Sequence, residues 1–242
     1  MDAKVDEIPR GNTCPGVNQA IIEYFLAHRP EIETAKWFDV PCGDGQFLDA
    51  VKRFFPNVET SGADIVCPQQ FKHDFIELDA SNCAEPVISD RFDIATCISG
   101  VMEFDNTLAF FRRLSAMSTP SSTLVVTNDN VQTIRDRLLF LLFGRFRQYR
   151  LDPHRLDIPT WKLMHLANLV QILKDAGYTV REVRYVAGGR AEWLWLPLAI
   201  PIYLAEYLYR RRSIPASNKN AEYFSLESFV ARHYLLICGK DG

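Results

Sequence analysis

The chain has 242 residues, 48% apolar and 24% charged, with 27 Lys and Arg against 30 Asp and Glu for a net charge of -3. This composition supplies a sizeable core and excludes wholesale disorder, and the charge balance provides no global basic field for nucleic acid. Six cysteines (Cys14, Cys42, Cys67, Cys83, Cys97, Cys238) form no C-x-x-C pair, and the charged start "MDAKVDEIPRGN" lacks the apolar core of a secretion signal, so a reducing, cytoplasmic setting without disulfides or zinc is expected.

The first element is a helix: "NQAIIEYFLAHRPEI" sets Ile21, Tyr24, Phe25 and His28 at helical spacing and stops at Pro30. The strand "AKWFDV" follows, then the turn "PCGDG", a helix running to Phe55, and a second strand ending at Asp64. "FKHDFIELD" reads as a third strand, "RFDIATCISG" as a fourth, "TLAFFRRLSAMS" as a helix and "STLVVTNDN" as a fifth strand rich in β-branched residues. Such alternation calls for a parallel sheet with helices on both faces. After Asn130 an apolar helix gives way to an irregular stretch rich in arginine and aromatic residues. Regular structure resumes with the helix "TWKLMHLANLVQILKDAG", whose Leu163, Leu166, Leu169, Val170 and Leu173 share a face and whose Gly177 suits a C-terminal cap. "YTVREVRYV" reads as strand six and "RHYLLICGK" as strand seven, with no internal repeat or low-complexity tract. The expected organisation is one α/β domain over 1–242, with cap segments at about 131–160 and 190–222.

The turn "DVPCGDGQF" brings Gly43 and Gly45 to the end of a buried strand, where side-chain-free backbone and a helix N-terminus can meet a ligand at contact distance. Acidic residues recur at successive strand ends: Asp39, then Asp64, 19 positions past Gly45, then Asp79. An acid about 20 residues beyond a glycine turn suits the two hydroxyls of a ribose, which points to a nucleoside ligand. The dinucleotide fingerprint wants a third glycine or alanine where this chain has Leu48, so a nicotinamide-dependent oxidoreductase stands as the alternative reading.

The pattern Asp39-x-Pro41-x-Gly43-x-Gly45 resembles the first motif of the class I S-adenosylmethionine-dependent methyltransferases. "GADI", "LDASN", "RFDIATCISGVMEF" and "LSAMSTPSSTLVVTNDN" resemble that family's later motifs in order. The resemblance implies a three-layer Rossmann-like fold whose seven-stranded, mostly parallel sheet ends in an antiparallel strand. It implies S-adenosylmethionine as cofactor and S-adenosylhomocysteine as product. Gly43 and Gly45 would pass beneath the cofactor's methionine part, Asp64 with Ile65 would meet the ribose, and Asp79 with Ala80 the adenine. Asp39 would face the amino group, Arg10 the carboxylate, and Ser99, Gly100 and Val101 the region of the sulfonium. Two departures stand out. Pro41 replaces the motif's first glycine and cannot donate a backbone hydrogen bond, and Phe104 follows Glu103 where many relatives have histidine.

Transfer of a methyl group to a hydroxyl needs positioning and removal of a proton. His28, His73, His165 and His233 fall in helices and strands, where structural roles are expected, whereas His154 lies in the irregular "RLDPHRLDIP" and is the expected base. Asn128 and Asp129 are alternative polar groups on the acceptor side, and no spacing suggests a catalytic metal.

"LLFLLFGRFRQYR" and "WLWLPLAIPIYLAEYLYRRR" share a design, an apolar and aromatic run ending in arginines. The uncharged run Trp193 to Ala205 is 13 residues with two prolines, short of the roughly 20 that span a bilayer. It can serve as core, as a homodimer contact, as a surface for an anionic membrane through 190–212, or as the wall of a lipid pocket. The expected function is methyl transfer, to oxygen of a small-molecule, lipid or lipid-linked saccharide acceptor. From another class comes a non-catalytic, membrane-recruited protein that binds the cofactor.

Overall fold

A computed structural model describes residues 8–28, 32, 34–79, 91–147, 162–187, 189–213, 223 and 225–240. Seven strands, β1 (Lys36–Asp39), β2 (Glu59–Asp64), β3 (Asp74–Glu77), β4 (Phe92–Ile98), β5 (Ser118–Asp129), β6 (Tyr178–Val186) and β7 (His233–Lys240), form one sheet in the order β3-β2-β1-β4-β5-β7-β6. β1 to β5 pair in parallel, while β7 runs antiparallel to both β5 and β6. This is the sheet expected from the sequence, antiparallel last strand included.

Two-residue alternation in β1 explains how the sheet is covered on both faces. Trp37 packs with Phe25 of α1 (Val17–His28) and Phe47 of α2 (Gln46–Phe54). Its neighbour Phe38 belongs to the opposite cluster, with Phe111 and Leu114 of α3 (Thr107–Met117) and Leu169 and Leu173 of α5 (Leu166–Asp175). Each such buried ring or leucine contributes about 1.5 to 3 kcal/mol by leaving water.

The sequence misplaces three boundaries. The third strand is confined to Asp74–Glu77, and β5 begins at Ser118, directly after α3. The helix expected from Thr160 starts at Leu166, because His165 caps it with an imidazole that accepts from Ala167 N–H; Leu163 therefore lies outside the helix and is exposed.

α4 (Ile134–Phe143) has Thr133 as N-cap and left-handed Gly144 as C-cap. The segment after β6 forms a short 3₁₀ helix, Arg190–Trp195, leading into α6 (Leu196–Ser213). α4 and α6 meet over a small core of Ile134, Ala199, Phe229 and Val230, and Arg137 of α4 pairs with Glu206 of α6. No helix among the described residues is long and apolar enough to cross a membrane.

Candidate active site

In a parallel α/β sheet, ligands lie beyond the C-terminal ends of the strands, where the chain crosses between neighbouring connections. At that place, beside β1 and β4, is a cavity of about 270 Å³. Its wall is formed by the β1–α2 turn, the end of β2, the loop after β4 and the segment preceding α1.

Gly43 has φ of +52° and a Cβ there would meet nothing within 4 Å, so the backbone lies open to the cavity. Its N–H donates to Asp64 Oδ2 at 2.9 Å, and Ile65 N–H donates to Asp64 Oδ1 at 2.8 Å. Each carboxylate oxygen is thereby pinned by one backbone donor and keeps a second lone pair for another. Gly45 differs from Gly43: at φ +81° its Cβ would come within 2.9 Å of the Phe71 ring, so it fits the turn onto the neighbouring loop and does not line the cavity.

Pro41 lines the cavity and explains Gly100, because a Cβ on Gly100 would lie 2.5 Å from Pro41 Cδ. The proline ring takes the volume that a side chain after β4 would occupy. Asp39 is buried and its Oδ1 accepts from Thr96 Oγ1 at 2.6 Å. Burial pushes its carboxyl from 3.8 up to about 7, with the Thr96 hydroxyl opposing and the charge of Asp64 adding to the rise. The folded state then binds this proton more tightly than the unfolded state, so stability falls as pH rises from about 4 to about 7. Thermal melting across that range should show the decline in the native protein and a smaller one in Asp39→Asn. Glu103, also on the cavity wall, is raised by burial first and then by Asp64, and contributes in the same direction.

Of the other expected residues, Arg10, Ser99 and Gly100 line the cavity, while Val101 is buried in the core. Ile65, at the rim beyond Asp64, is 62% exposed, and Asp79 lies after β3, outside the cavity wall. Ala80 and His154 lie outside the described residues. Asn128 is committed to the core, its amide donating to Met164 C=O and Tyr234 Oη at 3.3 Å each. His28, His73 and His165 have local partners in Tyr24 C=O, Thr60 Oγ1 and the α5 N-terminus.

Asn18 and Thr13 are among the wall residues that the sequence does not single out. Asn18 is buried on α1, donates to Pro9 C=O at 2.8 Å and, among the described residues, leaves Oδ1 without a hydrogen-bond partner beside the cavity. The signal was present: an amide among Val17, Ile21, Ile22 and Phe25 on a buried helix face. Thr13 lines the cavity as well, and its Oγ1 is 2.7 Å from Ser99 Oγ.

The donor and acceptor set therefore fits a ligand with an ammonium, a carboxylate and a vicinal diol. Asp39 and the orphaned Asn18 oxygen can take the first, Arg10 the second, and the fixed Asp64 carboxylate the third.

A family profile described as a methyltransferase domain matches residues 15–183. No curated protein matches the sequence. Among solved structures, the chain is similar to a SAM-dependent methyltransferase from Archaeoglobus fulgidus at 17% identity, covering 92% of this chain and 94% of that one with a TM-score of 0.55. It is similar to phosphoethanolamine N-methyltransferase 2 from Haemonchus contortus in complex with S-adenosyl-L-methionine, at 15% identity, 98% and 56% coverage and a TM-score of 0.56. It is also similar to the [4+2]-cyclase SpnF, at 16% identity, 92% and 80% coverage and a TM-score of 0.54, so the architecture also occurs in a cyclase. Matched over most of its length by the family profile and folded as the sheet requires, the chain belongs to the methyltransferase-domain family and is an S-adenosylmethionine-dependent methyltransferase.

Proposed function

We propose that the enzyme transfers the methyl group to oxygen of a lipidic or lipid-linked acceptor drawn from an anionic membrane surface. In this reading Asp64 holds the ribose hydroxyls and Asp39 and Asn18 the cofactor's ammonium. Arg10 pairs with its carboxylate, and Gly43 gives the backbone room beneath it. Ile65 covers the rim, Asp79 with Ala80 serves the adenine side, and Gly45 contributes through the shape of the turn. When bound, the cofactor supplies an electrophilic methyl on a positively charged sulfur. The chain's own residues bind it, orient it and exclude water from it.

The observation that carries the acceptor reading is the outer surface of α4 and α6. Leu141, Leu142 and Phe143 on α4 are exposed, as are Leu198, Leu204 and Leu208 on α6 and Leu194 just before it, with Leu141 at 77% and Leu194 at 79%. Only Ala199 of α6 is fully buried, so a helix that is apolar over its first ten residues leaves most of that surface outside. An apolar face of this kind marks a partner. Tyr207 and Tyr209 sit towards its end, followed by Arg210, Arg211 and Arg212, the order that suits headgroup depth and lipid phosphate. The segments at about 131–160 and 190–222 then act as a cap that both docks and delivers the acceptor, with His154 as one candidate base.

Vesicles containing about one third phosphatidylglycerol, loaded with 4-dodecylphenol or dodecylamine and mixed with methyl-labelled S-adenosylmethionine, test this reading. Sedimentation with the anionic vesicles at low salt, release at high salt and a methyl ether product are expected. A protein that stays in the supernatant, that forms a dimer through this face, or that labels only the amine contradicts it.

A further inference from the structure

One histidine expected to be structural joins the cavity wall through its partners. His233 opens β7, and because β7 runs antiparallel its first residue lies at the edge where the parallel strands end, paired in register with Asp129, the last residue of β5. Its Nε2 is 3.3 Å from Ser99 Oγ, and its Nδ1 lies 3.5 Å from Asp129 Oδ1 without making a hydrogen bond among the described residues. Ser99 Oγ in turn lies 2.7 Å from Thr13 Oγ1, and both residues line the cavity. His233 itself is buried, with 1% of its surface exposed.

Ser99 is held in a conformation that only glycine adopts freely. Its φ is +59°, and its N–H is shared by Thr127 C=O at 3.2 Å and Thr127 Oγ1 at 3.1 Å. A residue kept in the left-handed region is strained, and such strain collects where a side chain must sit in one place. Three strand ends and the segment before α1 thus converge on one file of polar atoms: Thr13, Ser99, His233, Asp129.

We propose that Ser99, His233 and Asp129 form a relay that takes the proton from the acceptor as it is methylated. The inference rests on the oxygen-acceptor reading above. The negative charge of Asp129, 3.5 Å from Nδ1, favours the tautomer with the proton on Nδ1, which leaves the Nε2 lone pair for the Ser99 hydroxyl. As the acceptor oxygen is methylated, its proton passes to Ser99 Oγ while the Ser99 proton passes to His233 Nε2. The acceptor oxygen uses a lone pair to bond the methyl carbon, whose former bonding pair stays on sulfur, and the electrons of the broken O–H bond remain on oxygen. Ser99 ends with the proton count it began with, and the imidazolium is paired with Asp129. Ser99 touches the acceptor; His233 and Asp129 act through it. The other charged groups around this corner are Arg232, Arg147 and Glu192, which together with Asp129 bear on the adjacent Cys14 thiol. Arg147 is committed to Asp136 and also approaches Glu192, so Asp129 is the carboxylate that faces the imidazole.

The test has a spectroscopic and a kinetic arm. In protein with isotope-labelled histidine, saturated with S-adenosylhomocysteine, the ring signal lost in His233→Gln reports His233. The balance between its Nδ1-protonated and Nε2-protonated forms should shift towards Nε2 in Asp129→Asn, since the neighbouring carboxylate favours a proton on Nδ1. With 4-dodecylphenol as acceptor, His233→Gln should lower kcat about 100-fold while KM for the phenol and affinity for S-adenosylhomocysteine stay within about twofold. Asp129→Asn should lower kcat about tenfold, and it decides the kinetic arm if His233→Gln fails to fold. A folded His233→Gln enzyme with kcat within about threefold of native, or a ring indifferent to Asp129→Asn, overturns the relay. If the native protein methylates dodecylamine instead, the oxygen reading fails alone, and the same His233→Gln comparison on the amine decides the relay. If it methylates neither probe, the acceptor reading fails and the spectroscopic arm decides.

Discussion

Asp64→Ala should weaken binding of S-adenosylmethionine by about 100-fold or more, with turnover at cofactor concentrations near the native KM falling in proportion. The carboxylate is fixed by Gly43 N–H at 2.9 Å and Ile65 N–H at 2.8 Å before any ligand arrives, so its free lone pairs are already aimed. In the proposed binding mode, two hydrogen bonds from ribose hydroxyls to this charged, preorganised acceptor would contribute about 1.5 to 3 kcal/mol each, and a loss of 2.7 kcal/mol is a factor of about 100. Removing the side chain also leaves the Gly43 N–H without its partner, which loosens the turn that lines the cavity. Asp64→Asn is a sharper probe. Its amide group keeps the shape but puts an NH₂ opposite one of the two backbone donors, so it too should lose affinity, by about tenfold or more. Calorimetry with S-adenosylhomocysteine reads both effects, and native affinity in Asp64→Ala would remove this residue from the site.

Arg147→Ala should cost about 3 to 5 kcal/mol of stability, the typical result of stripping the partner from a buried charge. Asp136 is fully buried, and Arg147 reaches it with Nε at 3.1 and 3.2 Å, with Nη2 at 2.8 Å and with its backbone N–H at 3.1 Å. Thr133 completes the carboxylate's shell, donating its hydroxyl at 2.7 Å while capping α4 by accepting from Asp136 N–H. Arg147 Nη1 also lies 3.7 Å from Glu192, so one guanidinium ties α4 to the 3₁₀ turn that leads into α6. For a chain of this size the loss corresponds to a drop in Tm of about 10 °C. Lysine should recover part of it, since it restores the charge without the fork, and the pair Arg147→Met with Asp136→Leu should recover most of it because neither charge is then stranded. A Tm within about 2 °C of native for Arg147→Ala would contradict this account. Vesicle binding should fall together with stability, because the same contact orders the two helices that present the apolar face.

Local rules made the glycine turn legible. Strand-end acids and a turn with open backbone recur at spacings fixed by the strand–helix–strand unit, so Asp39, Gly43 and Asp64 could be assembled from their intervals alone. Pro41 was legible only in part. That it could give no hydrogen bond follows from its chemistry, but that its ring rests on Gly100 is a contact between two separate strand ends. Gly45 shows the reverse limit: a glycine beside the site can be required by a neighbour, here Phe71, and not by a ligand. His233 was hidden more deeply. A histidine opening an apolar strand resembles any satisfied core residue, and its partner Ser99 is 134 positions away, brought close only by antiparallel insertion of β7 beside β5. The Arg147–Asp136 pair was equally silent, since nothing in a local pattern says that an acid in the first turn of a helix will be sealed from water. The run from Trp193 is too short to span a bilayer, and among the described residues no helix is long and apolar enough to do so, although α6 carries Pro201 within its 18 residues and remains helical. What makes the run a proposed docking surface is its exposure.

Calorimetric titration of the native protein with S-adenosylhomocysteine, set beside NAD, tests the central claim most directly. Binding of S-adenosylhomocysteine at one site per chain, lost in Asp64→Ala, with no heat from NAD, is the predicted result. Binding of NAD with no response to S-adenosylhomocysteine would contradict it.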